Sequence, residues 1–205
     1  MTARATLAGP AEIEIDKIKG SRFIGYARPC ATVEEAEVWS EELWALHPSA
    51  RHVCWAHRGA HPDRVRYVDD GEPSGTAGKP ILTVIEGLGL ESIAVGVVRY
   101  FGGTKLGTGG LARAYSSAAQ AVLKEAEVTE LKLRAQVSLR VSYSFESSLS
   151  YLLTQHSAEV IERLYEADVS VTAVLLSEEA DALCATVIER TAGRAQVVRD
   201  PDQWC

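Results

Sequence analysis

At 205 residues, with 46% hydrophobic and 24% charged side chains, the chain has room for one large domain or two small ones and the composition of an ordinary folded protein. A formal charge of −7 excludes a generic polycationic nucleic-acid binder, and no apolar run reaches the roughly 18–20 residues of a membrane span. The opening stretch MTARATLAGPAEIEI lacks the apolar core of a signal peptide, and Cys30, Cys54, Cys184 and Cys205 form no C-x-x-C pair, so a cytoplasmic protein with reduced thiols is expected.

Residues 12–18 alternate apolar and acidic side chains, which predicts a half-buried strand, with 21–28 as its antiparallel neighbour across a turn at Lys19-Gly20. Thr32 with Glu35 is a capping box; Ala36, Trp39, Leu43 and Leu46 continue at helical spacing until Pro48. A strand is expected at 51–57 and another at 65–68. Residues 69–79 (DDGEPSGTAGK) hold three acids, three glycines and a proline, a composition for an ordered loop, after which Pro80 opens a helix carrying Ile81, Val84, Ile85 and Leu88. Ile93–Val98 is almost wholly apolar, as in a strand covered on both faces. A Gly-rich loop follows, in which five of the nine residues 102–110 are glycine, and then a helix from about Leu111 to Ala126 and a charged connector, 127–134.

The last third alternates at Val137, Leu139, Val141 and Tyr143, then reads as a helix capped by Ser144, strands at 159–165 and 169–176, a helix capped by Ser177 that stops at Gly193, and a final strand at 195–199. The order β-α-β-β-α-β is the ferredoxin-like arrangement. The fold class expected is therefore α+β in two domains, residues 1–134 and 135–205. The acidity belongs to the second: residues 1–134 hold 16 Lys/Arg against 17 Asp/Glu, residues 135–205 hold 5 against 11.

Glycine is used where backbone must turn through positive φ or be approached closely, and a helix start behind such a loop offers free amides and a partial positive charge. Gly102, Gly103, Gly107, Gly109 and Gly110 with Arg99, Lys105, Arg113 and Lys79 thus make a candidate phosphate or anion site. The named nucleotide motifs fail there. Gly107-Thr108 lacks the Lys of a Walker A loop, and Gly78-Lys79 runs into Pro80. Gly107, Gly109 and Ala112 meet the dinucleotide spacing, but no alternating parallel βαβ series follows. The acidic loop is the second half of a candidate groove, with His52, Asp69, Asp70, Glu72, Ser74 and Thr76. Asp69, Asp70 and Glu72 suit Mg2+ beside a phosphate, or serve as backbone caps and ion-pair partners. His52, Cys54, His57 and His61 do not converge as metal ligands, because 52 and 54 share one strand face and 57 the other.

Three separated stretches resemble the IMPACT family, in its bacterial two-domain branch: Arg51-His52 with Cys54-Trp55-Ala56; Asp69-Asp70-Gly71-Glu72-Pro73 through Gly75-Thr76-Ala77-Gly78-Lys79-Pro80; and Val97 to Gly103 with Leu106 to Leu111. The pattern departs at Val53, where relatives usually carry a second His, which speaks against a His-pair metal site. The resemblance implies an N-terminal domain like a small-subunit ribosomal-protein domain, as in the fourth domain of elongation factor G and in GHMP-type kinases. It implies a C-terminal domain similar to the last domain of elongation factor G. Eukaryotic members are implicated in translational control through a ribosome-associated partner, and no catalytic residues come with the resemblance. The expectation is a non-enzymatic regulator of translation, without a cofactor, that binds RNA, the ribosome or a translation-associated protein. The alternative is an enzyme acting on a phosphorylated small molecule or nucleotide with Mg2+ in the acidic loop.

Overall fold

The computed structural model describes residues 4–61 and 64–204. The strand–turn–strand pattern near the start forms a hairpin: β1 (Ala5–Leu7) leads to β2 (Ala11–Ile18), which pairs antiparallel with β3 (Ser21–Pro29). Lys19 and Gly20 both take positive φ, 47° and 82°, as the tightest hairpin turn requires. In α1 (Val33–Leu46) the Thr32 side chain accepts from the Glu35 amide at 3.2 Å, while the Glu35 carboxylate accepts from the Ala31 amide at 2.9 Å. Ala36, Trp39 and Leu43 are buried, and Leu46 faces solvent.

β4 (His52–Arg58), β5 (Val65–Val68), α2 (Gly78–Gly87), β6 (Ile93–Tyr100) and α3 (Thr108–Glu125) complete the first layers. The strands form one antiparallel sheet in the order β2-β3-β6-β4-β5. Central β6 is covered on both faces, and period two sorts its side chains: Ile93, Val95 and Val97 meet the core under α2 and α3, Ala94 and Val98 the smaller core under α1. Arg99 is on the α2/α3 side by the same parity, level with Phe23 on β3 and His52 on β4. Residues 127–134, which read as a connector, instead supply β7 (Val128–Glu130), paired with β1.

The structure divides into two units, residues 1–131 and 132–205. The second begins with β8 (Leu133–Val141) and continues through a 3-10 turn at Tyr143–Phe145, α4 (Glu146–Gln155), β9 (Glu159–Tyr165), β10 (Val169–Leu176), α5 (Ser177–Arg190), β11 (Gln196–Arg199) and β12 (Gln203–Trp204). The sheet order β11-β8-β10-β9, antiparallel throughout, is the ferredoxin-like one. Its core is the inward half of each strand: Val137, Leu139 and Val141 on β8, Val171, Ala173 and Leu175 on β10, against Leu149, Leu152, Leu183 and Val187. The fold class is α+β in two units. Neither expected serine cap forms. Ser144 lies inside the 3-10 turn, and Ser177 Oγ donates to Asp202 Oδ2 at 2.7 Å from the first position of α5. Gly193, at φ 75°, donates its amide to Ile188 O and ends α5 as its position predicts. Among the described residues no helix is long and apolar enough to cross a membrane.

Candidate functional site

Two loops of the first unit each run into a helix start. In the acidic loop, Asp69 is the organising group. Its Oδ1 accepts from the amides of Ala77 (2.9 Å) and Gly78 (2.8 Å), and its Oδ2 from the Gly75 amide at 2.7 Å. A carboxylate from the loop thereby takes the place of a side-chain cap on α2, where the helix dipole favours a negative charge. Asp70 turns the other way: Oδ2 accepts from the Val53 amide at 2.6 Å, and its carbonyl oxygen accepts from His52 Nδ1 at 2.7 Å. Thr76 Oγ1 donates to Pro73 O at 2.6 Å. Gly78 packs where a Cβ would lie 2.7 Å from the Val68 nitrogen, so the helix start sits directly on β5.

Glu72 points inward. Its carboxylate accepts from Arg99 Nη1 and, at 2.9 Å, from Tyr115 Oη, with His52 Nε2 at 3.8 Å; its side chain is 4% exposed and that of Arg99 5%. The Arg99 guanidinium lies between the Phe23 and Phe101 rings, 5.5 and 5.6 Å from their centroids, and Nη2 donates to Ser21 Oγ at 3.3 Å. Cys54 Sγ is within 3.4 Å of Tyr115 Oη and donates to Asp69 O at 3.0 Å. Burial pushes the Cys54 thiol and the Tyr115 phenol far above their ordinary ranges, so both stay neutral.

The Gly-rich loop is built differently. A Cβ on Gly102 would fall 1.9 Å from the carbonyl carbon of Gly20, and its amide donates to Ser21 Oγ at 3.1 Å, so this glycine serves the contact with the β2–β3 turn. Gly107, at φ 73°, is the N-cap of α3 and carries no side chain to cap it. The helix starts at Thr108, three residues before the expected Leu111, so Gly109 and Gly110 form its first turn and not the loop. Leu111 N is the first amide bonded back, to Gly107 O at 2.9 Å, which leaves Thr108, Gly109 and Gly110 as the uncapped donors. Arg113 lies beside them: its Nη1 would be 3.5 Å from a Cβ on Gly109.

Both loops meet at a cavity of about 330 Å3 lined by Glu72, Pro73, Arg99, Phe101, Lys105 and Leu106, and by Gly107, Thr108 and Leu111 at the helix start. Of the sequence-predicted residues, Glu72, Arg99, Lys105 and Gly107 thus converge, with Arg113 beside the uncapped turn and His52 behind Glu72. Asp69, Asp70 and Thr76 shape the acidic loop from within, Ser74 and Gly103 are exposed, and Lys79 lies over the Tyr67 ring at 5.8 Å and does not line the cavity. The four-residue set His52, Cys54, His57 and His61 does not converge: His57, on the opposite strand face, places Nε2 3.2 Å from Cys30 O. Among the described residues no group of three or more His, Cys, Asp or Glu is arranged to hold a metal ion.

Residues 19–123 match the model of the Impact N-terminal domain, which encloses both loops and the cavity between them. Residues 139–194 match a domain of unknown function (DUF1949). The chain belongs to the IMPACT family. It is 35% identical to an IMPACT family member of Haemophilus influenzae, over 87% of this chain and 88% of that one. It is 34% identical to the IMPACT family member YigZ of Escherichia coli, over 90% and 92%. A crystal structure described as that of a hypothetical protein superimposes with a TM-score of 0.74 at 33% identity, covering 97% of both chains. The resemblance carried by the three sequence stretches thus extends over most of the chain.

Two residues of this IMPACT site escaped the sequence reading: Ser21 and Tyr115 join the network under Arg99 and Glu72, which Cys54 of the 51–56 stretch reaches through Tyr115 Oη. Tyr115 carried a usable signal: it falls on the apolar stripe of α3 with Leu111, Ala118 and Val122, where a buried phenol needs a polar partner. Ser21 carried none, because its role depends on a loop 81 positions away.

Proposed function

We propose that this IMPACT family member is a non-enzymatic regulator of translation that binds RNA, the ribosome or an associated protein by receiving a backbone phosphate at the start of α3. The observation that carries the reading is the uncapped first turn of an 18-residue helix, opening beside Lys105 and Arg113. Three amides, the dipole and two cations are the ingredients of anion recognition without base readout. Phe101, half-exposed on the cavity wall, adds a ring on which a base can stack.

Binding by full-length protein to a short single-stranded RNA, followed by fluorescence anisotropy, tests it. With about two phosphates neutralised, log K falls with log salt at a slope of about −1.4. The double variant Lys105→Glu with Arg113→Glu abolishes that binding. A flat salt response, or equal affinity in the double variant, contradicts the reading.

The cavity's size is what favours a second reading, an enzyme acting on a phosphorylated small molecule or nucleotide. Its chemistry is less suited: Asp69, Asp70 and Glu72 already accept protein donors, and the Cys54 thiol is held neutral. Thermal stabilisation by nucleotides or sugar phosphates, with and without Mg2+, separates the two; a ligand at a hundredfold excess over Kd adds about 2.7 kcal/mol.

A further inference from the structure

The acidity of the second unit is not uniform. Of the five Lys/Arg in residues 135–205, three line one cavity of about 300 Å3: Arg140, Arg190 and Arg194. They arrive from three places in the fold. Arg140 is next to last in β8, Arg190 closes α5, and Arg194 follows the turn in which Ala192 and Gly193 take φ of 50° and 75°. Ser142 and Ser144, whose hydroxyls lie 3.0 Å apart, add polar groups to the same wall, while the Thr191 hydroxyl is spent on Val187 O at 2.8 Å.

Arginine near the end of α5 has an ordinary explanation in the helix dipole, which favours a cation there. That explanation accounts for Arg190 and does not extend to Arg140, which belongs to a strand. The single acid in the cavity, Asp168, accepts from Arg140 Nε at 3.2 Å, with both side chains about two-fifths exposed. Arg194 Nε donates to Thr191 O at 3.1 Å, and its terminal nitrogens take no part in that bond. Arg190 has no ion-pair partner among the described residues. After Asp168 is counted, the cavity retains an excess of two positive charges inside a unit whose sequence carries four more acids than bases, 11 Asp/Glu against 7 Lys/Arg in residues 132–205.

We propose that this cavity binds the phosphoryl group of a small molecule, a phosphomonoester held by Arg190 and Arg194 with Arg140 and the Ser142/Ser144 hydroxyls behind. A planar fork of N–H donors matches the oxygens of a phosphoryl group two at a time. Size and surroundings select a compact dianion over a nucleic-acid strand. A strand would lay further phosphates across the acidic surface outside the cavity, where like charges repel. The site is separate from the start of α3 and does not depend on the reading made of it.

The test uses the full-length protein at low ionic strength, with inorganic phosphate and a nucleoside monophosphate titrated in parallel. The readouts are the arginine Nε–H resonances and the backbone amides of residues 142–144 and 191–196. Expected in the second unit are saturable shifts of this set, with Kd of about 1 mM or tighter for both probes, whatever the amides of residues 108–110 do. Arg190→Gln with Arg194→Gln removes exposed side chains, lowers the melting temperature by a few degrees at most through the lost helix-end contacts, leaves the protein folded, and weakens binding at least tenfold. Lys105→Glu with Arg113→Glu leaves these shifts as they were. Absence of saturation, tighter binding of a dicarboxylate such as succinate than of phosphate, or undiminished binding in the arginine variant overturns the assignment.

Discussion

The two loops of the first unit both end at a helix start, and they leave those starts in opposite states. At α2 the Asp69 carboxylate occupies the amides of Ala77 and Gly78, and Pro80 has no amide to satisfy. At α3 the N-cap is a glycine, three further residues carry uncapped amides, and the one acid lining the cavity, Glu72, is already paired with Arg99, beside Lys105 and Arg113. One helix start is closed by an anion from its own chain; the other keeps its first-turn amides uncapped, which is what the proposed anion site rests on. The contrast separates two meanings of a glycine-rich stretch. At Gly78 and Gly102 the missing side chain lets backbone pack on backbone, whereas at 107–110 it leaves donors uncovered.

The strongest way to break this comparison is to disturb what holds the two loops together. Glu72→Ala leaves the Arg99 guanidinium buried without its carboxylate, and urea unfolding is expected to show a loss of about 3–5 kcal/mol. A loss below 1 kcal/mol would mean that the pair is not what joins the loops. Asp69→Ala uncovers three amides in the acidic loop and is expected to destabilise by about 3 kcal/mol. Added phosphate should partly restore that loss, since α2 then resembles α3. Gly102→Ala drives a methyl group into the Gly20 backbone, at a cost of about 2–3 kcal/mol by the same measurement.

The opposite sheet face supplies a smaller effect. Burial lowers the pKa of His57 and His47 below the ordinary histidine value, so the unfolded chain binds more protons there. The stability linked to them is present above the unfolded value of about 6.5 and is lost progressively as pH falls from there through the lowered folded values. Calorimetry at pH 7.5 and 5.5 checks the sign, and replacing His57 by Gln should flatten the decline. Smallest of all, Lys105→Glu with Arg113→Glu changes stability by no more than about 0.5 kcal/mol, because both side chains are exposed. Its effect belongs to binding alone.

Much of the fold was legible because period is a local property. The alternation of β2 and β8 and the apolar run of β6 were read from neighbouring residues, and the ferredoxin-like order followed from the sequence of elements. The errors lie where a longer-range partner decides. β7 looked like a connector because Val128–Glu130 is exposed along its length and becomes a strand only by pairing with β1. Ser177 looked like a cap, yet its hydroxyl goes to Asp202, 25 residues on. In the candidate site, Arg99, Lys105 and the glycines were recognisable by type and spacing. The partition of the acidic loop was not: which of Asp69, Asp70 and Glu72 faces amides and which faces Arg99 depends on loop turns that composition does not encode. Net charge misled in the second unit, since an overall excess of acids conceals the three arginines gathered at one cavity.

The claim that the start of α3 is held open for an external anion is tested most directly by following backbone amide resonances while a short single-stranded RNA is added to the full-length protein. The account predicts saturable shifts at Thr108, Gly109 and Gly110, with Ala77 and Gly78 unmoved under their Asp69 carboxylate. No shift at 108–110, or equal shifts at both helix starts, would contradict it.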